Sequence, residues 1–351
     1  MPNKERFYKI LDGKQISLFP LKNKLNTELY LTNYGCRIVS LKVNDQNGRP
    51  VPVVVGFDSI DEYLTTTEVY HGAVIGRYAN RIARGRFHLK EKKYQLAINN
   101  PPNHLHGGPH GFHSKVWEVM EVSENSVTLS YLSVDGEEGY PGNISIAVRY
   151  SLSHQNEVVI DYKATTDQST ILNLTNHAYF NLNGIGSGTI ANHLLHINAH
   201  HYTPVNENLI PIGMLDAVEK TPFDFTTPRP IGKRINEKNI QLLYGNGYDH
   251  NYVLGNNGRE PDFAARVVGD KTGIAMEVFT NEPGMQFYTN NATPKDAVAG
   301  GPVEDRYRTA FCLETQHFPD SPHHFNFPST VLNPGDIFRS TTIYKFQSPV
   351  G

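Results

Sequence analysis

The segment Ile144-Ser145-Ile146-Ala147-Val148-Arg149-Tyr150 decides the fold class, because its large apolar residues occupy every second position. Successive side chains of a β-strand point to opposite faces of a sheet, so this period of two predicts a strand with one buried face. Residues 126–132, 158–163, 274–280 and 336–346 predict further strands in the same way. Turn-forming clusters fall between such segments: Asp45 to Gly48, Asp135-Gly136, Pro141-Gly142, Asn256 to Gly258 and Pro334-Gly335.

Signals for helices are few by comparison. Ser59 and Glu62 have the spacing of a capping box for one short helix, and residues 236–244 are compatible with another. The chain has no Ser/Gly linker, no low-complexity tract and no repeat of fixed period. We therefore expect an all-β protein with few short helices, a large antiparallel β-sandwich that forms a single domain over residues 1–351.

Composition and charge narrow the class of function. The 351 residues are 38% hydrophobic and 19% charged, with a formal net charge of −3. This balance implies no strongly basic surface, which argues against nucleic acid or an anionic membrane as a partner. No apolar run is long enough to span a bilayer, and the N-terminus leads into no sustained apolar stretch. Cys36 and Cys312 cannot form a disulfide framework, so we expect a cytoplasmic protein.

A loop rich in glycine and proline carries four histidines within ten residues: His104, His106, His110 and His113. A His-x-His pair can present two imidazoles to one metal ion. The alternative is a tight loop whose histidines bond a ligand or the backbone. The sequence favours this alternative, because no carboxylate or cysteine lies among the histidines, but it leaves the individual roles open.

Residues 171–182 form a second candidate segment, Ile-Leu-Asn-Leu-Thr-Asn-His-Ala-Tyr-Phe-Asn-Leu. As one strand, it would turn its mostly apolar even positions toward the core. The odd positions would form a polar row of Asn173, Thr175, His177, Tyr179 and Asn181. Such a row suits a polyhydroxylated ligand, whose hydroxyls need partners once water is displaced. A solvated sheet face is the alternative, but such faces usually carry Lys, Glu and Arg.

A third candidate lies in the segment Phe311-Cys312-Leu313-Glu314-Thr-Gln316. Alternation turns Phe311 and Leu313 toward the core and leaves Glu314 on the opposite face. A lone glutamate is more often solvated or paired with arginine than catalytic, but the neighbours on this face are Cys and Gln. Partial enclosure would raise the pKa of this carboxyl toward the working pH, as a general base requires.

Three shorter motifs also carry groups that can bind a ligand. Asn80 and Arg81 lie in a segment with three arginines, Asp249 follows a glycine turn, and Gln286 lies between strand-like aromatics. Each has an ordinary explanation as a surface charge or a turn residue, and none is decisive alone.

Together these segments resemble the aldose 1-epimerase family in their order and in their amino-acid sequence, from about Tyr34 to Phe346. The resemblance implies a β-supersandwich of the galactose mutarotase-like type with an open sugar-binding groove. The segments that carry it are Asn80-Arg81, 103–108 (Asn-His-Leu-His-Gly-Gly), 138–142 (Glu-Gly-Tyr-Pro-Gly), 173–182, 247–250 (Gly-Tyr-Asp-His), 283–288 (Pro-Gly-Met-Gln-Phe-Tyr), 313–320 (Leu-Glu-Thr-Gln-His-Phe-Pro-Asp) and 328–336 (Pro-Ser-Thr-Val-Leu-Asn-Pro-Gly-Asp).

The resemblance also implies roles for single residues. Glu314 matches the family's general base, His177 its general acid, and His106 a helper at the sugar's ring oxygen. The matching contacts to the sugar hydroxyls are Asn80, Arg81, Asp249 and Gln286, with Tyr179 beside the acid. No metal or other cofactor is implied. His113 and His323 stand where Asp and Asn are more usual in the family, which concerns loop detail rather than the reaction.

The expected reaction interconverts the α and β anomers of a free aldohexose, with galactose and glucose both open as substrates. It would start with Glu314 ionised and His177 protonated, and an anion near His177 would favour that state. The only partner expected is a monosaccharide, bound by a monomer or a homodimer. The main alternative is a non-catalytic carbohydrate-binding or sensor protein on the same sandwich. A metal-dependent lyase or isomerase and an epimerase of hexose phosphates are further alternatives.

Overall fold

A computed structural model describes residues 2–255, 258–291 and 307–347. Strands dominate this part of the chain, and its two α-helices are short: α1 (Ile60–Thr65) and α2 (Ile240–Gly245). Asn256 and Asn257 of one predicted turn lie outside the described residues. No helix of the described ranges has the length and apolar character needed to cross a membrane.

The strands of the described residues are numbered here in chain order. They are β1 (Lys9–Leu11), β2 (Lys14–Ile16), β3 (Leu18–Lys22), β4 (Glu28–Thr32), β5 (Arg37–Asn44), β6 (Pro50–Pro52), β7 (Val54–Val55), β8 (Val74–Ile75), β9 (Arg81–Ile82), β10 (Arg86–Leu89), β11 (Lys92–Gln95), β12 (His104–Leu105), β13 (Glu118–Val122), β14 (Ser126–Ser133), β15 (Ile144–Leu152), β16 (Glu157–Thr166), β17 (Thr170–Ile171), β18 (Thr175–Asn176), β19 (Tyr179–Phe180), β20 (Leu194–Ile197), β21 (His201–Tyr202), β22 (Asp216–Ala217), β23 (Arg229–Pro230), β24 (Asp249–Val253), β25 (Asp262–Val268), β26 (Ala275–Thr280), β27 (Gly284–Tyr288), β28 (Cys312–Gln316), β29 (Val331–Leu332) and β30 (Phe338–Gln347).

The largest sheet contains the alternating segment of residues 144–150, which lies in β15. Its nine strands run in the order β13-β14-β15-β16-β30-β26-β25-β20-β23, each antiparallel to its neighbours. In β15, Ile146 and Val148 are buried whereas Ser145 and Arg149 are exposed. One face of this sheet therefore packs on the core and the other meets solvent, as predicted. The other four predicted strands correspond to β14, β16, β26 and β30.

A five-stranded sheet, in the order β22-β21-β24-β27-β28, packs against the same core. The main hydrophobic cluster includes Leu313 from this sheet, Val148 from the nine-stranded sheet, and Leu29 from a four-stranded sheet in the order β3-β4-β5-β6. All five residues of β28 are buried, so both of its faces are covered. Burial of large apolar side chains, each worth about 1.5–3 kcal/mol, is what holds the sheets together.

The helix predictions are confirmed with one change of boundary. The Ser59 hydroxyl accepts a hydrogen bond from the Glu62 amide at 3.3 Å, so it caps α1 as the sequence indicated. The second helix, α2, begins only at Ile240, because the side chain of Asn239 accepts from the Gln241 amide and caps it there.

The prediction of one strand across residues 171–182 is wrong. The segment breaks into β17, β18 and β19, which pair with β29, β8 and β7 respectively, and all twelve residues are buried. Its amides serve the backbone rather than a ligand. Asn173 donates to the carbonyls of Ala79 and His317, and Asn181 donates to those of Gly188 and Thr309.

Candidate active site

The register of three strands gathers polar side chains on one side of the five-stranded sheet. Asn251 of β24 lies opposite Gln286 of β27, which lies opposite Glu314 of β28. Asp249 and Gln316 point the same way, each two residues along its own strand. The intervening residues, such as Leu313, belong to the core. We call the side that carries these five polar residues the site face.

Glu314 and His177 meet above the site face. The Nε2 atom of His177 lies 3.6 Å from Oε1 of Glu314, and both side chains are almost fully buried. His177 lies between β18 and β19, where its amide donates to the carbonyl of Ala73. Its ring stacks on Tyr179 with 4.9 Å between centroids, and its Nδ1 lies 3.5 Å from the Cys312 sulfur. The segment that failed as a strand thus still places the predicted acid beside the predicted base.

His106 is held by a reciprocal contact with Asn80. The Asn80 amide donates to Nδ1 of the His106 ring at 3.1 Å, and the His106 amide donates to the Asn80 carbonyl. Because Nδ1 accepts, the proton of the neutral imidazole lies on Nε2, where it can be donated to a ligand. One ligating atom each of His106, His177 and Glu314 lies within 4.8 Å of the others. Three distant segments therefore converge on one point.

Arg81, Asp249 and Gln286 form a polar group next to this point. Nε2 of Gln286 donates to Oδ1 of Asp249 at 2.6 Å, and Nη1 of Arg81 lies 3.8 Å from Oδ2 of Asp249. Arg81 is also fixed by its Nε, which donates to Asn100 at 3.1 Å. The side chains of Arg81 and Asp249 remain 11% and 14% exposed, so their remaining donors and acceptors face accessible space.

Burial controls the protonation of the catalytic candidates. It raises the pKa of Glu314 well above the usual carboxyl range, with Asp249 adding to the shift and Arg81 opposing it. It lowers the pKa of His177 to about 3, with a smaller contribution from His71. It also lowers the pKa of His106 well below the usual value, with His177 contributing next. Each group is thereby shifted toward its neutral form.

In the unliganded site, these pKa shifts oppose the expected state of an ionised Glu314 facing a protonated His177. The reason is that loss of solvation outweighs the attraction between the two charges. Between the lowered pKa of the imidazole and the raised pKa of the carboxyl, the pair holds a single proton. Enclosure does raise the pKa of Glu314, as the sequence suggested.

The four clustered histidines separate in the structure, and only His106 joins the site. Nδ1 of His104 donates to the Ala97 carbonyl at 2.8 Å, and its Nε2 accepts from the Tyr140 hydroxyl at 2.7 Å, so this ring is structural. His110 is exposed, and His113 is buried with its ring edge against Tyr70.

Tyr70 is a site residue that the sequence analysis missed. Its ring is only partly buried and lies 4.7 Å from the His106 ring and 5.9 Å from the His177 ring, measured between centroids. Burial raises the pKa of its hydroxyl to about 12, so it stays protonated. No motif marked it, because an isolated aromatic in a turn is not distinctive in a sequence.

Two residues that were predicted to contact the sugar, Tyr179 and Asn80, lie behind the residues that line the site. Tyr179 is 3% exposed and its ring stacks on His71 at 4.2 Å as well as on His177. Asn80 is 3% exposed, and its side-chain oxygen accepts from the Arg81 amide. Both residues contact groups that line the site.

A family model and several known proteins match most of this chain. A model of the aldose 1-epimerase family matches residues 17–345. The galactose mutarotase of Bos taurus is 44% identical over 319 residues, covering 90% of this chain and 90% of that protein. The aldose 1-epimerase of Escherichia coli (strain K12) is 34% identical over 340 residues, covering 95% and 96% of the two chains.

Solved structures confirm the predicted fold. An aldose epimerase homologue from C. elegans superposes with a TM-score of 0.86 at 30% identity, covering 95% of this chain and 99% of that one. A galactose 1-epimerase from Lactobacillus acidophilus NCFM gives 0.84 at 27% identity, with 97% of each chain covered. With a family model and relatives that match nearly its whole length, this chain belongs to the aldose 1-epimerase family.

Proposed function

We propose that this protein is an aldose 1-epimerase, an isomerase that interconverts the α and β anomers of a free aldohexose such as galactose or glucose. The observation that carries the proposal is the 3.6 Å approach of His177 Nε2 to Glu314 Oε1, with His106 beside them. Relatives named galactose mutarotase, at up to 44% identity, support a free sugar as the substrate.

The reaction needs two proton transfers at neighbouring oxygens. Glu314 takes the proton of the C1 hydroxyl while His177 delivers one to the ring oxygen, so the bond between C1 and the ring oxygen breaks and an open-chain aldehyde forms. Rotation about C1–C2 presents the other face of the aldehyde. The C5 hydroxyl then attacks C1, and both proton transfers run in reverse. Each well-placed transfer is worth roughly 10²–10⁴-fold in rate.

A pair that holds one proton suits this exchange. The productive form has that proton on His177 and none on Glu314, and the reaction returns it after each turnover. No net proton enters or leaves, so the site needs no connection to solvent during catalysis. Removal of the single proton at high pH, or addition of a second at low pH, would each stop the exchange.

The remaining residues position the sugar and the catalytic rings. Arg81, Asp249 and Gln286 offer charged and amide groups to the sugar hydroxyls, and His106 donates from Nε2 toward the ring oxygen. Asn80 and Tyr179 act on the catalytic rings rather than on the sugar. Asn80 fixes the His106 tautomer through its amide, and Tyr179 supports the His177 ring by stacking.

The proposal includes no metal or other cofactor, although His106, His177 and Glu314 are close enough to ligate one ion. A metal on Nε2 of His106 would place the imidazole proton on Nδ1, where it would face the Asn80 N–H. Metal-bound histidines normally donate from their other nitrogen to an acceptor, which this ring lacks. We expect activity to be unchanged after dialysis against a chelator, and a loss restored by added metal would contradict this.

Polarimetry on freshly dissolved α-galactose tests the activity directly. The enzyme should accelerate the change of optical rotation in proportion to its concentration. No acceleration with either galactose or glucose, despite measurable sugar binding, would instead identify a non-catalytic carbohydrate-binding or sensor protein. The presence of both an acid and a base at one point favours the enzyme.

We further propose that residues 1–351 form one domain that works in the cytoplasm as a monomer or a homodimer, with a monosaccharide as its only obligate partner. A single main core cluster that draws on the nine-, five- and four-stranded sheets supports one domain. One cooperative unfolding transition would agree with this, and two separate transitions would contradict it. Sedimentation of the purified protein distinguishes the two oligomeric states.

A further inference from the structure

Two buried amide side chains on the site face have no role in the reaction described above. Asn251 of β24 is 1% exposed and Gln316 of β28 is 0% exposed. In the described part of the chain, neither the nitrogen nor the oxygen of either amide has a hydrogen-bond partner. Buried polar groups are almost always satisfied, because leaving one unpaired is unfavourable. With Oε1 of Gln286 and Oε2 of Glu314, six unpaired atoms of the described residues lie on the site face, and they point to a ligand.

Both amides lie on strands that flank β27, and Gly284 of that strand lies on the same face. Gly284 of β27 lies directly opposite Gln316. A Cβ atom at Gly284 would lie only 2.4 Å from the amide oxygen of Asn251, so the Asn251 side chain occupies the space that this glycine leaves open. The ring of Phe318 approaches the same point to 2.8 Å and covers it. Asn251 therefore packs beside Gly284, the residue that is paired with Gln316.

The two amides share the site face with the carboxylate of the proposed base. Glu314 lies two residues before Gln316 on the same face of β28. Across the sheet, Gln286 of β27 lies between Glu314 and Asn251 of β24. Oε1 of Glu314 faces His177, whereas its Oε2 has no hydrogen-bond partner in the described residues. In the productive form Glu314 is deprotonated, and a carboxylate accepts up to about four hydrogen bonds, so Oε2 then needs a donor.

We propose that Asn251 and Gln316 hold enclosed water that donates a hydrogen bond to Oε2 of Glu314. Water fits because it both donates and accepts hydrogen bonds. The amide nitrogens need an acceptor, whereas the amide oxygens and the Glu314 carboxylate need a donor. Asn251 and Gln316 are the least exposed of the five residues on the site face, so water reaches them more readily than a sugar ring does. Asn251 and Gln316 are then positioning residues that fix the orientation of the Glu314 carboxylate. This inference rests on the proposed role of Glu314 as the base.

Variants of similar size without the amide separate positioning from packing. Asn251→Leu and Gln316→Met should each lower kcat about ten- to a hundredfold with KM nearly unchanged, because a misplaced catalytic group slows the reaction without weakening sugar binding. Asn251→Ala, which leaves room for additional water, should recover part of the lost kcat. Unchanged kcat in both the Leu and Met variants, with a raised Tm from removal of unpaired polar groups, would overturn the proposal.

A high-resolution crystal structure of the unmodified protein gives an independent test. We expect a water within hydrogen-bond distance of Glu314 Oε2 and of at least one of the two amides. Amides bonded directly to each other, with no water between them and Glu314, would overturn the proposal. If the wild-type protein has no epimerase activity, the proposed function fails, whereas this water site is still decided by the crystal structure.

Discussion

Replacement of Glu314 by glutamine tests the proposed mechanism most directly. The substitution keeps the size of the side chain and its capacity to accept a hydrogen bond, but it removes the ability to take a proton. Glu314 is 2% exposed, and its Oε1 lies 3.6 Å from Nε2 of His177. The structural change should therefore be small, and the effect should fall on the chemical step.

The expected loss follows from the role of a single base. Removal of one general base costs roughly 10²–10⁴-fold in kcat. At about 1.36 kcal/mol per tenfold change, this corresponds to about 2.7–5.4 kcal/mol of transition-state stabilisation. KM should change little, because the sugar hydroxyls still meet Arg81 and Asp249.

Stability provides a second measurement with a defined sign. Burial raises the pKa of Glu314, so this carboxyl favours the folded state most below its usual pKa, and that contribution is lost as pH rises through the raised pKa. Glutamine does not ionise. The Tm of Glu314→Gln relative to wild type should therefore increase as pH rises from the usual carboxyl pKa through the raised pKa of Glu314.

Polarimetry with α-galactose gives kcat and KM, and circular dichroism gives Tm. Glu282→Gln is a matched control, because Glu282 is equally buried at 3% but pairs with His317 at 2.7 Å. That variant should lose stability and keep most of its kcat. Near-wild-type kcat in Glu314→Gln, or an equal loss in the control, would refute the assignment of Glu314 as the base.

Three further predictions follow from the site. His177→Asn should lower kcat by roughly 10²–10⁴-fold with an unchanged circular dichroism spectrum, and kcat within threefold of wild type would mean that another group is the acid. The value of kcat/KM should fall as pH rises through the raised pKa of Glu314, because the pair then loses its only proton; a rate that climbs over that interval in a polarimetric pH series would contradict a one-proton pair. Asp249→Asn should raise KM for galactose by roughly tenfold or more while kcat changes less, through loss of a charge-assisted hydrogen bond worth about 1.5–3 kcal/mol, and an unchanged KM would remove Asp249 from the sugar contacts.

The parts of the fold that were predictable are those where one sheet face meets solvent. In β15 the sequence alternates because Arg149 must stay hydrated while Val148 packs on the core. The same alternation rule failed for residues 171–182, because both sides of this segment are buried and its asparagines donate to backbone carbonyls. Alternation carries no information where a chain has no solvent-facing side.

The sequence predicted the residues of the candidate site but not their protonation. The motifs around His106, His177 and Glu314 lie far apart in sequence, and the structure brings them within 4.8 Å. Their protonation depends on burial, which the sequence does not report, and in the unliganded site burial opposes the expected ion pair. Tyr70 and the amides of Asn251 and Gln316 were missed because their significance arises only from neighbours on other strands.

The contact between Asn80 and His106 has a consequence for engineering. Changing the side chain at position 80 leaves the backbone N–H in place, so such variants still direct the His106 proton to Nε2. Proline alone lacks that N–H, but Asn80 has φ of 63°, and the proline ring requires about −65°. We therefore expect variants at this position that keep the main chain in place to leave the ring unable to bind zinc. A metallohydrolase built from these three side chains would require a redesigned main chain at residue 80.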